Sequence, residues 1–248
     1  MSQKSVEKLT PYNSGENKGR QIAKMFNAIA FRYDIMNRLI SLGQDKRWRR
    51  KAISILKPNS PKTILDIATG TGDMAIKMHS MLSPCCVTGC DISEGMMDVA
   101  RKKVANLGLS QEITFTAGDC ISLPFPNNSF DAVTISFGIR NVEDIERGLS
   151  EINRVLTPDG KLVILELSVP EKRFYKFFYT IYTKLVIPTL GKLITGERSA
   201  YDYLRKSIAV VPQGKAMTEI MEKVGMTDCT YTYMTFGACA IYSAKKKE

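Results

Sequence analysis

Five short apolar runs, at 63–67, 86–90, 113–117, 130–136 and 162–167, alternate with helical stretches through the middle of this chain. Strands that are apolar on both faces need cover on both sides, and intervening helices supply it. The alternation therefore predicts an α/β fold with a parallel sheet wound on both faces. The intervening helices fall at 73–81, at 94–107 with Ser93 as N-cap, and at 142–156, where Pro158-Asp159-Gly160 stops the last one before the fifth strand. Ahead of the sheet, amphipathic helices at 18–30 and 46–56 flank Phe31-Arg32-Tyr33-Asp34-Ile35-Met36-Asn37, and Pro58 with Pro61 closes that section. After the fifth strand, 171–206 is an aromatic and basic helical segment, and a helix follows near 213–224. Two β-rich runs, 229–234 and 238–243, surround Thr235-Phe236-Gly237 and predict a terminal antiparallel hairpin. A chain of 248 residues organised this way is one unit: a helical cap over 1–57 and a core over 58–248 with a helical insertion at about 171–206.

Only the ends lack a pattern. Residues 1–16 are polar without helical periodicity, and Ala244-Lys245-Lys246-Lys247-Glu248 is a charged tail. The N-terminus carries no apolar signal core, and the aromatic stretch 174–193 is broken by Lys176, Lys184, Pro188 and Lys192, so no membrane span is expected. A formal net charge of +10 favours an acidic partner such as nucleic acid, an anionic membrane or a phosphorylated substrate, unless the charge goes unused. The cysteines at 85, 86, 90, 120, 229 and 239 lack C-x-x-C spacing. They read as thiols in a reducing cytoplasm, Cys90 and Cys239 buried, and no metal site is expected. The single histidine, His79, falls on the helix after the first strand with a solvent-facing position, which argues against histidine-dependent catalysis.

The first strand runs into Asp66-Ile67-Ala68-Thr69-Gly70-Thr71-Gly72-Asp73. Gly70 and Gly72 let the backbone take positive φ and pass close to a ligand. Gly70-x-Gly72-x-x-Ala75 also fits a loose dinucleotide fingerprint, so the loop alone leaves two kinds of nucleoside cofactor open. Asp66 weighs against the one with a pyrophosphate, because a carboxylate before the helix N-terminus repels phosphate. It suits a ligand with a cationic amino acid portion, and S-adenosylmethionine is such a ligand. Asp91 ends the second strand about 25 positions later, where a carboxylate accepts the ribose hydroxyls of either cofactor. Asp119 follows the third strand, within reach of an adenine amino group. Three acids after three successive strands are more selective than the loop, although each also suits a turn or cap.

This arrangement resembles the core of the class I S-adenosylmethionine-dependent methyltransferases. Three further segments are similar to motifs of the UbiE/MenG quinone C-methyltransferase family. They are Tyr33-Asp34-Ile35-Met36-Asn37 with Ser41 and Trp48, Ile135-Ser136-Phe137-Gly138-Ile139-Arg140-Asn141-Val142, and Arg154-Val155-Leu156-Thr157-Pro158-Asp159-Gly160 leading to Glu166-Leu167-Ser168. The resemblance extends from Met25 to Ser243. It departs at Asp45, where the family usually has histidine, at Thr157 and Asp159, and at Cys120, a place often taken by alanine.

The resemblance implies a Rossmann-like fold with a mostly parallel seven-stranded sheet, helices on both faces and a C-terminal antiparallel hairpin. It implies S-adenosyl-L-methionine as cofactor, with contacts at Thr71, Asp91, Asp119, Cys120 and Ser136, beside the loop residues Asp66, Gly70 and Gly72. The implied reaction is transfer of a methyl group to a ring carbon of a polyprenylated quinol. Demethylmenaquinol is the expected acceptor, with a benzoquinol precursor of ubiquinol as the alternative. RNA methylation, a non-enzymatic binding role and nicotinamide oxidoreduction are the rival classes. No N-P-P-Y-type motif follows the fourth strand, and nucleic acid is not the expected partner. Arg140 and Asn141 are the expected groups beside the acceptor oxygen, where a fixed cation stabilises phenolate character. Arg140 would otherwise pair with Glu143. Tyr33 and Asp34 are expected to close the site, and Tyr201 and Arg205 to line its polar end. The aromatic run 174–182 would line a tail channel and rest on the bilayer, or else pack as a core-facing helix. The protein is thus expected in the cytoplasm, peripheral to the inner face of the membrane, with a homodimer compatible.

Overall fold

In the computed structural model of the protein, β1 (Thr63–Ile67) is buried at every position after its first, as a strand covered on both faces must be. Residues 4–12, 14–186, 189 and 198–247 are described. Pro188 and Lys192, expected to interrupt the aromatic segment, lie outside them, as do Met1, Ser2, Gln3 and Glu248. β2 (Cys86–Asp91), β3 (Ile113–Ala117), β4 (Phe130–Ser136) and β5 (Leu156–Leu167) run parallel with β1. β6 (Met226–Met234) and β7 (Cys239–Lys246) form the antiparallel hairpin, with β7 paired to β5. The order β3-β2-β1-β4-β5-β7-β6 completes a seven-stranded sheet of the predicted kind. Strand order reverses between β1 and β4, so a crevice opens at the carboxyl ends of those two strands.

Side chains alternate across β1. Ile64 packs with Trp48 and Ala52 of α4 (Asp45–Ser54) and Met74 and Met78 of α5 (Asp73–Leu82). Leu65 and Ile67 face Leu149 and Ile152 of α7 (Ile145–Val155) on the other side. A third cluster joins Ile22 and Met25 of α2 (Lys18–Ile29), Met36 of α3 (Tyr33–Ile40), and Tyr201 and Tyr203 of α9 (Arg198–Val210). Asn27 of α2 anchors this layer over the strand ends. Its Oδ1 accepts from the Gly95 amide at 2.9 Å and from Ser93 Oγ at 2.7 Å, at the start of α6 (Glu94–Asn106). Ser93 is the N-cap of α6, as expected.

Several segments differ from expectation. The N-terminal residues include a helical turn, α1 (Lys4–Glu7), whose Val6 is fully buried and whose Val6 carbonyl accepts from Lys18 Nζ at 2.8 Å. The stretch between the first two predicted helices is itself α3. Its period is blurred because Ile35 and Leu39 stay exposed opposite the buried Met36. α7 starts three residues late because the Asp144 side chain caps it, accepting from the Arg147 amide at 2.9 Å. The Pro158-Asp159-Gly160 turn does not precede β5 but lies inside it. Pairing with β4 skips from Leu156 to Lys161, and Asp159 takes φ of +61° in the bulge. The C-terminal lysines are not all tail, since Lys246 Nζ donates to the Leu156 carbonyl at 2.8 Å. His79 is half-buried rather than solvent-facing, one ring nitrogen 3.3 Å from the Cys85 carbonyl.

The aromatic segment forms α8 (Arg173–Ile181) and a π-helical turn, Tyr182–Val186. No residue of α8 is fully buried, but one side of the helix packs on the protein, where Tyr175 and Tyr179 are half-buried and Tyr175 stacks on Phe236 at 4.5 Å. Among the described residues no helix is long and apolar enough to cross a membrane. α10 (Lys215–Lys223) leads into β6.

Candidate active site

The turn after β1 bends through left-handed backbone at Ala68 (φ +51°), Gly70 (+57°) and Gly72 (+78°). The two glycines serve different ends. Gly70 lines a cavity at the carboxyl ends of β1 and β4, where its missing Cβ keeps the backbone open to a ligand. Gly72 is turned from that cavity, and a Cβ there would lie 3.0 Å from Ala100 Cβ of α6. Gly138 lets the loop after β4 approach this turn, since a Cβ on it would meet Ala68 Cβ at 2.5 Å.

Asp91 sits at the cavity wall and fixes the turn. Its Oδ2 accepts from the Gly70 amide at 2.8 Å and its Oδ1 from the Ser93 amide at 2.9 Å. Burial pushes its carboxyl above the ordinary value, against the backbone donors that favour the ion. Asp119 and Cys120 line the same cavity from the end of β3. Ser136 also lines it, as does Asn141, which was expected beside the acceptor oxygen instead, and Ser136 Oγ and Asn141 Oδ1 are buried with no hydrogen-bond partner. Orphaned polar atoms facing a cavity are groups that a polar ligand satisfies. An amino acid joined to a nucleoside, with its hydroxyls, base and charged ends, fits a lining of two carboxylates and two unpartnered polar groups.

Asp66 and Thr71 are placed differently from expectation. Asp66 is 1% exposed, and its carboxylate accepts from Thr134 Oγ1 at 2.6 Å and Thr69 Oγ1 at 2.7 Å. It shapes the loop from beneath and does not line the cavity. Thr71 Oγ1 donates to Asp34 Oδ1 at 2.5 Å, and Lys103 Nζ of α6 lies 2.5 Å from the other oxygen of Asp34. Asp34 thus latches α3 to the glycine turn and to α6.

Burial lifts the Asp66 carboxyl to about 6, against the two threonine hydrogen bonds. A carboxyl raised on folding holds its proton more tightly folded than unfolded. Its contribution is therefore most favourable at low pH and is lost as pH rises from the ordinary carboxylate range through about 6. Relative to Asp66→Asn, the parent should lose about 3 kcal/mol of unfolding free energy between about pH 4 and about pH 7. Urea unfolding of both proteins across that range measures it, and parallel curves would dismiss the effect.

A second cavity lies between the helical layer and the sheet. Met25, Ile29, Met36, Trp48 and Leu167 make it largely apolar, with Arg140, Asp45, Tyr201 and Tyr203 as polar members. Phe26, Tyr33 and Phe137 line both cavities and form the partition between them. Phe137 holds φ of +58°, a strained conformation for an aromatic residue, with Trp48 edge-on at 6.3 Å and the Arg49 guanidinium 5.2 Å from its ring centre. Tyr33 has its hydroxyl above the ordinary range because burial outweighs the nearby Arg140 and Arg49 charges.

Arg140 is 5% exposed and pairs with Glu166, not Glu143, at 2.7 Å from Nη1 to Oε1. Nη1 also donates to the Phe137 carbonyl, and the Arg140 amide to Glu166 Oε2 at 3.3 Å. Desolvation opposes its charge, but Glu166, together with Tyr33 and Tyr203, more than offsets that and favours the protonated guanidinium. Its Nε is buried with no hydrogen-bond partner, as is the Tyr203 hydroxyl. Tyr201 lies in this cavity while Arg205 does not line it, and Asp45 accepts from Ser41 Oγ at 3.0 Å and pairs with Arg38. Glu166 belongs to a family-like segment of the sequence, but a place for it in the site was not expected. Its signal is an acid inside the apolar run Leu162-Val163-Ile164-Leu165, at a strand's carboxyl end.

Sheet order, glycine turn, strand-end acids and orphaned polar groups define a class I S-adenosylmethionine-dependent methyltransferase. The profile of the ubiE/COQ5 methyltransferase family matches residues 13–246, and the chain belongs to that family. It is 50% identical to a demethylmenaquinone methyltransferase of Bacteroides fragilis over 240 residues, covering 97% of this chain and 98% of the relative. It is 42% identical to the ubiquinone/menaquinone biosynthesis C-methyltransferase UbiE of Geobacter sulfurreducens, covering 96% and 93%. Among solved structures, phosphoethanolamine N-methyltransferase 2 of Haemonchus contortus, in complex with S-adenosyl-L-methionine, shares the fold. The TM-score is 0.60 at 19% identity, covering 80% of this chain, which spans 53% of that one.

Proposed function

We propose that this enzyme methylates a ring carbon of demethylmenaquinol, a 2-polyprenyl-1,4-naphthoquinol, to give menaquinol. The observation that carries the proposal is a pair of unused buried donors, Arg140 Nε and the Tyr203 hydroxyl, in an apolar cavity that shares a wall with the cofactor cavity. An acceptor with a flat apolar ring and a few oxygens matches that lining. The full-length likeness to relatives named demethylmenaquinone methyltransferase supports the naphthoquinol ring.

S-adenosylmethionine supplies the methyl group in activated form. The chain's part is to bind the acceptor, orient it and shift its charge. Arg140 meets a quinol oxygen with its free Nε–H and favours loss of the hydroxyl proton to water, which makes the adjacent ring carbon nucleophilic. Once that carbon carries the methyl group, its own hydrogen leaves as a proton and the oxygen regains one from water. Glu166 fixes the guanidinium in place, and Tyr33 and Phe137 align the ring at the partition. Asp91, Asp119, Ser136 and Asn141 hold the cofactor, while Asp66, Gly72 and Thr71 keep the turn in shape. The test uses methyl-labelled S-adenosylmethionine with reduced demethylmenaquinone. Label on the naphthoquinone ring carbon is expected, and label only on an added benzoquinol refutes the ring choice.

The enzyme acts on the inner membrane face as a peripheral protein. Phe174, Phe177 and Phe178 of α8 are 69%, 62% and 56% exposed, an arrangement that water disfavours and a bilayer interface accepts. Changing Phe177 and Phe178 to serine should reduce flotation with liposomes by about tenfold or more, given the cost of withdrawing two aromatic side chains from the interface. Unchanged flotation of a folded variant removes α8 from the contact.

A further inference from the structure

A basic cleft lies between α3, α4 and α5, on the outer side of the second cavity. Arg38, Lys46, Arg49, Arg50 and Lys77 line it, with Asp73 as its acid. Asp73 is already engaged, 2.8 Å from Lys103 Nζ and 3.1 Å from Arg38 Nη2. Arg49 is 7% exposed and already placed, its guanidinium 5.2 Å from the Phe137 ring centre and its Nε 3.9 Å from Asp45. No ion pair engages Lys46, Arg50 or Lys77 among the described residues. Those three cations, gathered in one recess, make a surface complementary to a tetrahedral anion.

The surroundings indicate which anion. The helix that carries Arg38 also carries Ile35 and Leu39, after Phe31 and before Leu42, and all four are exposed. Leu42, 74% exposed, stands four residues before Lys46. The Tyr182 hydroxyl donates to the Leu39 and Ile40 carbonyls at 3.3 and 3.2 Å, which brings the end of α8 against the end of α3. The exposed aromatics of α8 and the exposed apolar residues of α3 thus lie on elements that meet at Tyr182, and Ile40 at that junction lines the second cavity. A free phosphate would have no use for aliphatic side chains beside its receptor. A single-stranded nucleic acid would favour aromatic platforms over Ile35, Leu39 and Leu42. An anionic phospholipid uses both features.

We propose that this cleft binds the headgroup phosphate of an anionic phospholipid while the α3 stripe enters the bilayer interface. Resting on the membrane-bound acceptor reading above, the site holds the mouth of the acceptor cavity at the membrane surface. The binding energy comes from charge as well as apolar burial, so vesicle composition and salt separate the two. Each cation near an anionic surface is worth about fivefold in partitioning, so Lys46→Gln/Arg50→Gln/Lys77→Gln should weaken binding by about 100-fold. Arg38 and Arg49 are left unchanged because they also hold Asp45 and Asp73.

Flotation is measured with vesicles of phosphatidylcholine alone and of phosphatidylcholine mixed equally with phosphatidylglycerol. The parent should prefer the anionic vesicles and lose that preference in high salt. The triple variant should bind both kinds alike, while S-adenosylmethionine calorimetry and turnover of a short-tailed acceptor in detergent match the parent. Equal flotation of parent and variant on anionic vesicles overturns the proposal. So does competition of the parent from vesicles by inorganic phosphate or single-stranded RNA at concentrations too low to screen charge. Failure of the detergent assay with every quinol, alongside intact charge-dependent flotation, overturns the acceptor reading instead and leaves the lipid site standing.

Discussion

Arg140→Ala is expected to lower turnover by about 100- to 1,000-fold while S-adenosylmethionine binds almost as before, the usual cost of one oriented donor at developing charge. The structure adds a second consequence. Glu166 is 2% exposed, so truncating Arg140 leaves a buried carboxylate without its partner, at a cost of about 3–5 kcal/mol in stability. The two effects separate in the double variant Arg140→Met/Glu166→Gln, which should recover most of the stability and none of the turnover. Calorimetry, thermal unfolding and steady-state kinetics on the three proteins decide it. Equal losses of cofactor affinity and turnover in Arg140→Ala would remove the guanidinium from the chemistry.

Asp91→Ala should act on the other cavity. The carboxylate faces the cofactor space and also accepts from the Gly70 and Ser93 amides. Its loss removes a charged acceptor from the ligand and an anchor from the turn, so the Kd for S-adenosylmethionine should rise by about 100-fold or more. Turnover at saturating cofactor should fall far less, because the acceptor cavity does not include Asp91. Asp91→Asn keeps one acceptor oxygen and should lose less than Asp91→Ala. A raised acceptor KM with an unchanged cofactor Kd would place Asp91 in the wrong cavity.

The parts of the fold legible in the sequence were those with local causes. β1, β3 and β4 fall at 63–67, 113–117 and 130–136 as predicted, because each is an apolar run closed by turn residues. α3 was obscured by residues that stay apolar yet face outward, Phe31, Ile35 and Leu39, which erase the contrast on which periodicity depends. In the site, Asp91 and Asp119 stand at the cavity because a strand's end determines where the next residue emerges. Asp66 shares that position but turns beneath the loop toward Thr134, a partner from a neighbouring strand 68 residues away. The partner of Arg140 follows the same rule. Glu143 is near in sequence, whereas Glu166 arrives on β5 through sheet pairing. Arg154, part of a family-like motif, holds backbone rather than ligand, donating to the Phe125 carbonyl at 2.7 Å and the Leu123 carbonyl at 3.1 Å.

Phe26, Tyr33 and Phe137 present one face to each cavity. A partition of three side chains cannot be repacked on one side without altering the other, so binding of the two ligands is coupled through it. By thermodynamic reciprocity, whatever factor a bound acceptor imposes on cofactor affinity, a bound cofactor imposes on acceptor affinity. A substitution at Phe137 that alters this coupling factor therefore alters it equally for both ligands, whatever it does to each affinity alone, so the wall between the two rooms is where their mutual dependence is set.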